Sequence, residues 1–196
     1  MRNSGIVRLT GGALILGVLA FAFGLVVQSL APAVRLRVSG LEEAGWVSIF
    51  VSVFLIGIGL LGARARYGER AGTAGSALLL VGAIGGFAAS TGGIEALYRL
   101  ITPDWWVIAW VGMFVMFACT MGFGVVAMRR RPLPRLNWLP ILSGAFSIAL
   151  LIGAATGGDF ASLDALFAAA ALVSALVLLP LGYMLQAGMR REPAAA

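Results

Sequence analysis

A chain of 196 residues that is 61% apolar and 11% charged, with a mean hydropathy of +1.01, carries more hydrophobic surface than a soluble core of that size can hide. Its net charge of +6 sets fourteen arginines against eight acids, with no Lys and no His. That composition excludes an imidazole haem ligand, an HExxH zinc site, a Ser-His or Cys-His nucleophile pair, a retinal Schiff base and a P-loop lysine.

Six stretches have the length and apolarity to cross a hydrocarbon core, which takes about 20 residues each: 7–30, 44–63, 71–90, 105–128, 138–155 and 163–185. The fold class expected is therefore all-α, a six-helix transmembrane bundle occupying residues 1–196 as one domain with no soluble part. The first stretch has a basic start, and Ala31-Pro32-Ala33 resembles a cleavage site. Its run without charge from Arg8 to Arg35 is too long for a signal peptide, whose apolar region spans about 7 to 15 residues.

Arginine alternates in density between the two ends of these stretches. Eleven lie at Arg2, Arg8, Arg64, Arg66, Arg70, Arg129, Arg130, Arg131, Arg135, Arg190 and Arg191, on one side. The other side holds Arg35, Arg37 and Arg99, together with Glu42, Glu43, Glu95, Asp104, Asp159 and Asp164. The positive-inside rule makes the arginine-rich side cytoplasmic. The location expected is the cytoplasmic (inner) membrane, multi-pass, with both termini cytoplasmic. This placement also accounts for the high charge without a nucleic-acid partner.

Sliding the sequence by 65 residues pairs Gly57 with Gly122, Gly59 with Gly124, Arg64 with Arg129, Arg66 with Arg131, and Arg70 with Arg135. The offset also pairs Ala44 with Ala109, Ala89 with Ala154, and Thr91-Gly92-Gly93 with Thr156-Gly157-Gly158. Ten identities in fifty positions are about twice the chance level for a chain this rich in Ala, Gly and Leu. They outline three tandem two-helix hairpins of about 65 residues, 1–70, 71–135 and 136–196.

Within the spans the polar groups are sparse. Small-xxx-small spacings such as Gly82 with Gly86 and Ala118 with Gly122 serve close helix packing. Ser48 with Ser52 and Ser143 with Ser147 share faces, and Thr120 stands alone; their hydroxyls are expected to bond the carbonyl of the preceding turn. No Asp, Glu, Arg, Lys or His sits at a span centre, which argues against an ion-coupled carrier. Pro180 is a candidate kink, because it frees the carbonyl of Leu176. Cys119 is the only cysteine, so there is no disulfide framework and no thiolate metal site.

Two places resemble sites. Thr91-Gly92-Gly93 before Glu95 and Thr156-Gly157-Gly158 before Asp159 put flexible backbone beside a carboxylate. A hard cation fits that chemistry, although helix stops with a left-handed glycine beside solvated acids are the simpler expectation. Trp46, Trp105, Trp106 and Tyr98 form an expected outer aromatic belt, with Trp138 as its inner counterpart. The densest basic stretch, Arg129, Arg130, Arg131 and Arg135, is the candidate contact for anionic phospholipid headgroups, at about 1 kcal/mol per arginine. The prolines between them are expected to hold that loop extended.

No catalytic, cofactor-binding or metal-ligating set emerges, and no cofactor is expected. The function expected is a non-catalytic accessory, anchoring or partner-binding membrane subunit. Its partners are the lipid bilayer and other membrane subunits or further copies of itself. The alternative is a small transporter or channel for a neutral or lipid-like solute.

Overall fold

The structure, a computed structural model, describes residues 4–30, 40–98, 104–133, 137–156, 169, 173 and 178–186. The described chain contains α1 (Ser4–Ser29), α2 (Leu41–Tyr98), α3 (Asp104–Arg130) and α4 (Leu139–Ala155), followed by helical residues at 178–186. Among the described residues there is no strand. Three helices are long and apolar enough to cross a membrane, over Gly5–Ser29, Leu41–Glu95 and Trp105–Arg130, and a shorter apolar one runs Leu139–Gly153.

At 1.5 Å per residue a straight helix of α2's length would reach roughly 87 Å, nearly three times the hydrocarbon thickness. It is not straight. Gly72 takes φ 74 and ψ −178, a positive-φ, extended conformation that a residue without Cβ adopts cheaply, and the run folds there into two arms, 41–71 and 73–98. The arms lie antiparallel. The rings of Phe54 and Phe87 stand 5.2 Å apart, a Cβ on Gly86 would sit 2.7 Å from the Val53 carbonyl oxygen, and Arg64 Nε donates to Ser76 Oγ at 3.1 Å.

The charged segment 64–70, expected as a loop, is therefore helical, and so is the stretch beyond Ser90, through Thr91-Gly92-Gly93 to Tyr98. The reason is that charge limits what lipid will accept, whereas Arg, Glu and Ala favour helix wherever water covers them. Only the backbone of Gly72 breaks the run.

Each helix packs antiparallel to its neighbours through small residues. Gly17 of α1 meets the first arm at Leu55 and at the Ser52 carbonyl oxygen, and Gly59 meets Leu14. The second arm meets α3 at Gly85 and Gly112, where a Cβ on Gly112 would stand 2.7 Å from the Gly85 carbonyl oxygen. α3 meets α4 where a Cβ on Gly144 would stand 2.6 Å from the Phe117 carbonyl oxygen. The stretch 178–186 returns against α1, with Gly182 on Ile15 and Gly11 on Leu185. Such contacts bring backbones close enough for dispersion to hold helices whose outer faces gain nothing by leaving lipid. Phe50, Leu14, Leu60, Met116 and Phe123 fill the interior, while Leu9 (75% exposed), Leu16 and Val107 point outward.

The pairing collects like charges. Arg8, Arg64, Arg66, Arg70 and Arg129–Arg131 lie at one end, where Gly62 packs on Thr10 and Gly72 meets Arg130. Glu42, Glu43, Glu95 and the start of α3 lie at the other, where Gly92 abuts the Trp105 carbonyl oxygen.

Among the glycine pairs with both members described, the offset of 65 does not pair equivalent packing positions. Gly57 packs forward on Ala83 and Phe87 but Gly122 packs backward on Leu78; Gly59 packs backward on Leu14 but Gly124 packs forward on Ile141. Ala44 is exposed and Ala109 buried. In a Gly- and Ala-rich chain, identity at a residue does not carry its helix face with it.

Candidate functional site

The arginine end is built from the α2 turn and the terminus of α3. Arg129 and Arg130 occupy the last turn of α3, and Arg131 leaves it with φ 50 while its N–H still donates to the Ala127 carbonyl oxygen at 2.8 Å. Leu133 and Asn137 meet across the following loop, whose residues 134–136, Pro134 among them, lie outside the described residues. Leu133 is buried, its N–H donates to Asn137 Oδ1 at 3.1 Å, and Asn137 Nδ2 donates back to the Leu133 carbonyl oxygen at 3.2 Å. Pro140 then lies in the first turn of α4, where a missing N–H costs nothing.

Arg129, Arg130 and Arg131 are exposed, and Arg135 lies outside the described residues. Arg130 reaches across to the α2 turn and fills the space that Gly72 leaves: a Cβ there would lie 2.9 Å from Arg130 Cζ. Arg64 and Arg70 are exposed on the α2 side of the same end, and Arg66 sits over the Tyr67 ring at 5.7 Å. Glu69 is the one acid among the described residues there. Sequence reasoning took the basic loop by itself and missed the contribution of α2. The signal was present in Arg64, Arg66 and Arg70, but nothing in a linear pattern places Gly72 under Arg130.

At the opposite end Trp46 stacks on Phe50 at 6.2 Å and meets Trp106 edge-on at 5.8 Å. These two expected belt tryptophans thus pack the first arm against α3. The Tyr98 side chain lies outside the described residues. Gly92 and Gly93 have ordinary helical φ, so the expected left-handed stop is absent there; a side chain at either would run into α3 or the Phe50 ring. Thr91 Oγ1 donates to the carbonyl oxygens of Phe87 and Ala88, at 3.1 and 3.0 Å. Thr156 Oγ1 makes the same pair of bonds to Ile152 and Gly153. Helical backbone has no carbonyls free for a cation at residues 91–93, and Gly157, Gly158 and Asp159 lie outside the described residues. Glu95 Oε2 is buried with no hydrogen-bond partner.

Ser52 Oγ donates to the Ile49 carbonyl oxygen at 2.6 Å and Thr120 Oγ1 to that of Met116 at 2.8 Å, as expected of hydroxyls inside spans. Ser143 and Ser147 differ. Both are fully buried on α4 and neither hydroxyl has a partner. Ser147 lines a cleft of about 30 Å³ among Phe21, Trp46, Trp110, Phe117 and Leu150. A buried water wants two to four polar partners, so one hydroxyl in an apolar wall leaves the cleft dry. Pro180 is half-buried inside the helical stretch 178–186, and Leu176, whose carbonyl it would free, lies outside the described residues.

No protein family, curated protein or solved structure compared with the chain matches it.

Proposed function

We propose that this is a six-span protein of the cytoplasmic membrane, its arginine end and both termini inside, acting as a non-catalytic, partner-binding membrane subunit. The spans are α1, the two arms of α2, α3, α4 and the expected last span, 163–185, of which 178–185 is described as helix. The observation that carries this is the close backbone packing between neighbouring described helices, typified by Gly85 against Gly112. Backbone contact of that kind is what a fixed scaffold needs, and it leaves no room between those helices for a solute. The cleft beside Ser147 is small and apolar, which disfavours passage of a polar molecule. Lipid covers the outward Leu, Val and Phe side chains.

Orientation follows from the charge separation at the two ends, because cytoplasmic loops carry the arginine excess. A partner would dock from within the bilayer or at its surface, since only short segments separate α1, α2, α3 and α4 along the chain. Purification in mild detergent tests the reading: it predicts that the protein comes out with a second membrane chain in fixed ratio. Recovery as a lone chain, together with solute flux in proteoliposomes, would overturn it in favour of a transporter.

A further inference from the structure

We infer that the arginine end holds the phosphate of one anionic lipid headgroup in a site built jointly by the α2 turn and the end of α3, with Arg130 over Gly72 at its centre and Arg70 and Arg129 beside it. This deepens the membrane reading and rests on it. A loop of basic residues attracts anionic lipid diffusely; the geometry here is more specific.

Arg130 is held in register. Gly72, with φ 74 and no Cβ, leaves a recess at the turn, and the guanidinium lies in it. Two helical elements thereby fix one arginine, which lowers the ordering cost of binding. Among the described residues no acid pairs with Arg70, Arg129, Arg130 or Arg131, while Arg64 is engaged with Ser76 and Arg66 with other groups. Four exposed guanidinium groups facing a single exposed acid, Glu69, leave a surplus of positive charge.

The occupant is set by level. Val125 (44% exposed) and Met128 (53% exposed) are outward apolar residues in the last turns of α3, directly before Arg129. The arginines therefore stand where an apolar belt ends, the height of lipid phosphates and not of a soluble anion. Their chemistry agrees: every cationic side chain in the protein is Arg and none is Lys. Orientation in a membrane counts Lys and Arg alike, whereas the planar guanidinium fork matches phosphate oxygens two at a time.

The test is native mass spectrometry of the full chain released from nanodiscs of equal phosphatidylglycerol and phosphatidylcholine, with retention of each lipid compared. The protein should keep one phosphatidylglycerol, and Arg130→Gln should lower that retention about fivefold to tenfold, as loss of a charge-assisted bidentate contact does. Arg130→Lys should recover only part of it. Arg8→Gln, at the same end but on α1, should leave it near the wild-type level. Equal loss from Arg8→Gln and Arg130→Gln would reduce the effect to general charge and overturn the site. So would equal retention of both lipids by the wild type, or displacement of the lipid by millimolar inorganic phosphate. A cytoplasmic reporter signal after Arg70 alongside any of these results would sink the lipid site alone and leave the orientation standing.

Discussion

The rings of Phe54 and Phe87 stand 5.2 Å apart although both belong to one run of helical residues. In an unbroken helix they would be separated by roughly 50 Å. Their contact, with the Gly86 backbone against Val53, is the direct consequence of the turn at Gly72. It yields a chemical test. With Cys119 replaced by Ser, the double variant Phe54→Cys, Phe87→Cys should cross-link within one chain under a short bifunctional thiol reagent, read as a mobility shift on a denaturing gel. Absence of the link in folded protein would contradict the hairpin.

Gly72 should be the least replaceable residue of that turn. A side chain there meets the Arg130 guanidinium and must adopt φ near 74. Gly72→Ala should lower stability by about 1–3 kcal/mol from the positive-φ, extended backbone alone. Gly72→Asn should lose about as much, because at ψ −178 the residue lies in a region that glycine almost alone adopts, outside the one Asn tolerates. Thermal denaturation in detergent ranks the three proteins. Equal melting of Ala and Gly at this position would count against the conformation.

The close helix contacts predict a graded response to added volume. Gly112→Val pushes into the backbone of the second α2 arm and should cost about 1–3 kcal/mol through forced separation of the helices. Gly5→Ala, with nothing within 4 Å of a new Cβ, should be neutral or slightly stabilising through helix propensity. Melting temperatures of the two variants in one detergent decide the matter. Comparable losses would mean that the Gly85–Gly112 approach is not a packing point.

Ser147 gives a prediction of opposite sign. Its hydroxyl is buried without a partner beside an apolar cleft, so removing it should relieve a desolvation cost of about 1–3 kcal/mol. Ser147→Ala should therefore melt higher than wild type, whereas Ser52→Ala, which loses a bond to the Ile49 carbonyl oxygen, should not. A lower melting temperature for Ser147→Ala would show that the hydroxyl has a partner in the membrane.

Much of this architecture can be read from the chain, because span length and arginine placement are properties of sequence averaged over many residues. The helical ranges and the sorting of Glu42, Glu43 and Glu95 away from Arg64 and Arg129 follow that kind of reasoning. What escapes it depends on a single backbone angle or on helix rotation. Nothing around Ala71-Gly72-Thr73 distinguishes a turn with positive φ from an ordinary helical glycine such as Gly75, so the sequence pointed to a charged loop where a helix runs on to Gly72. The same blindness pairs Gly59 with Gly124 although they face opposite neighbours. The arginine site is half legible for the same reason: Arg129–Arg131 announce themselves, but the meeting of Arg130 with Gly72 needs the fold.

The central claim is that α2 crosses the membrane twice and turns at Gly72 on the cytoplasmic side. Paired reporter fusions, one active only in the cytoplasm and one only outside, placed after Arg70 and after Glu95, test it most directly. The account predicts a cytoplasmic signal at Arg70 and an external one at Glu95. The same side for both, or the reverse pattern, would contradict it.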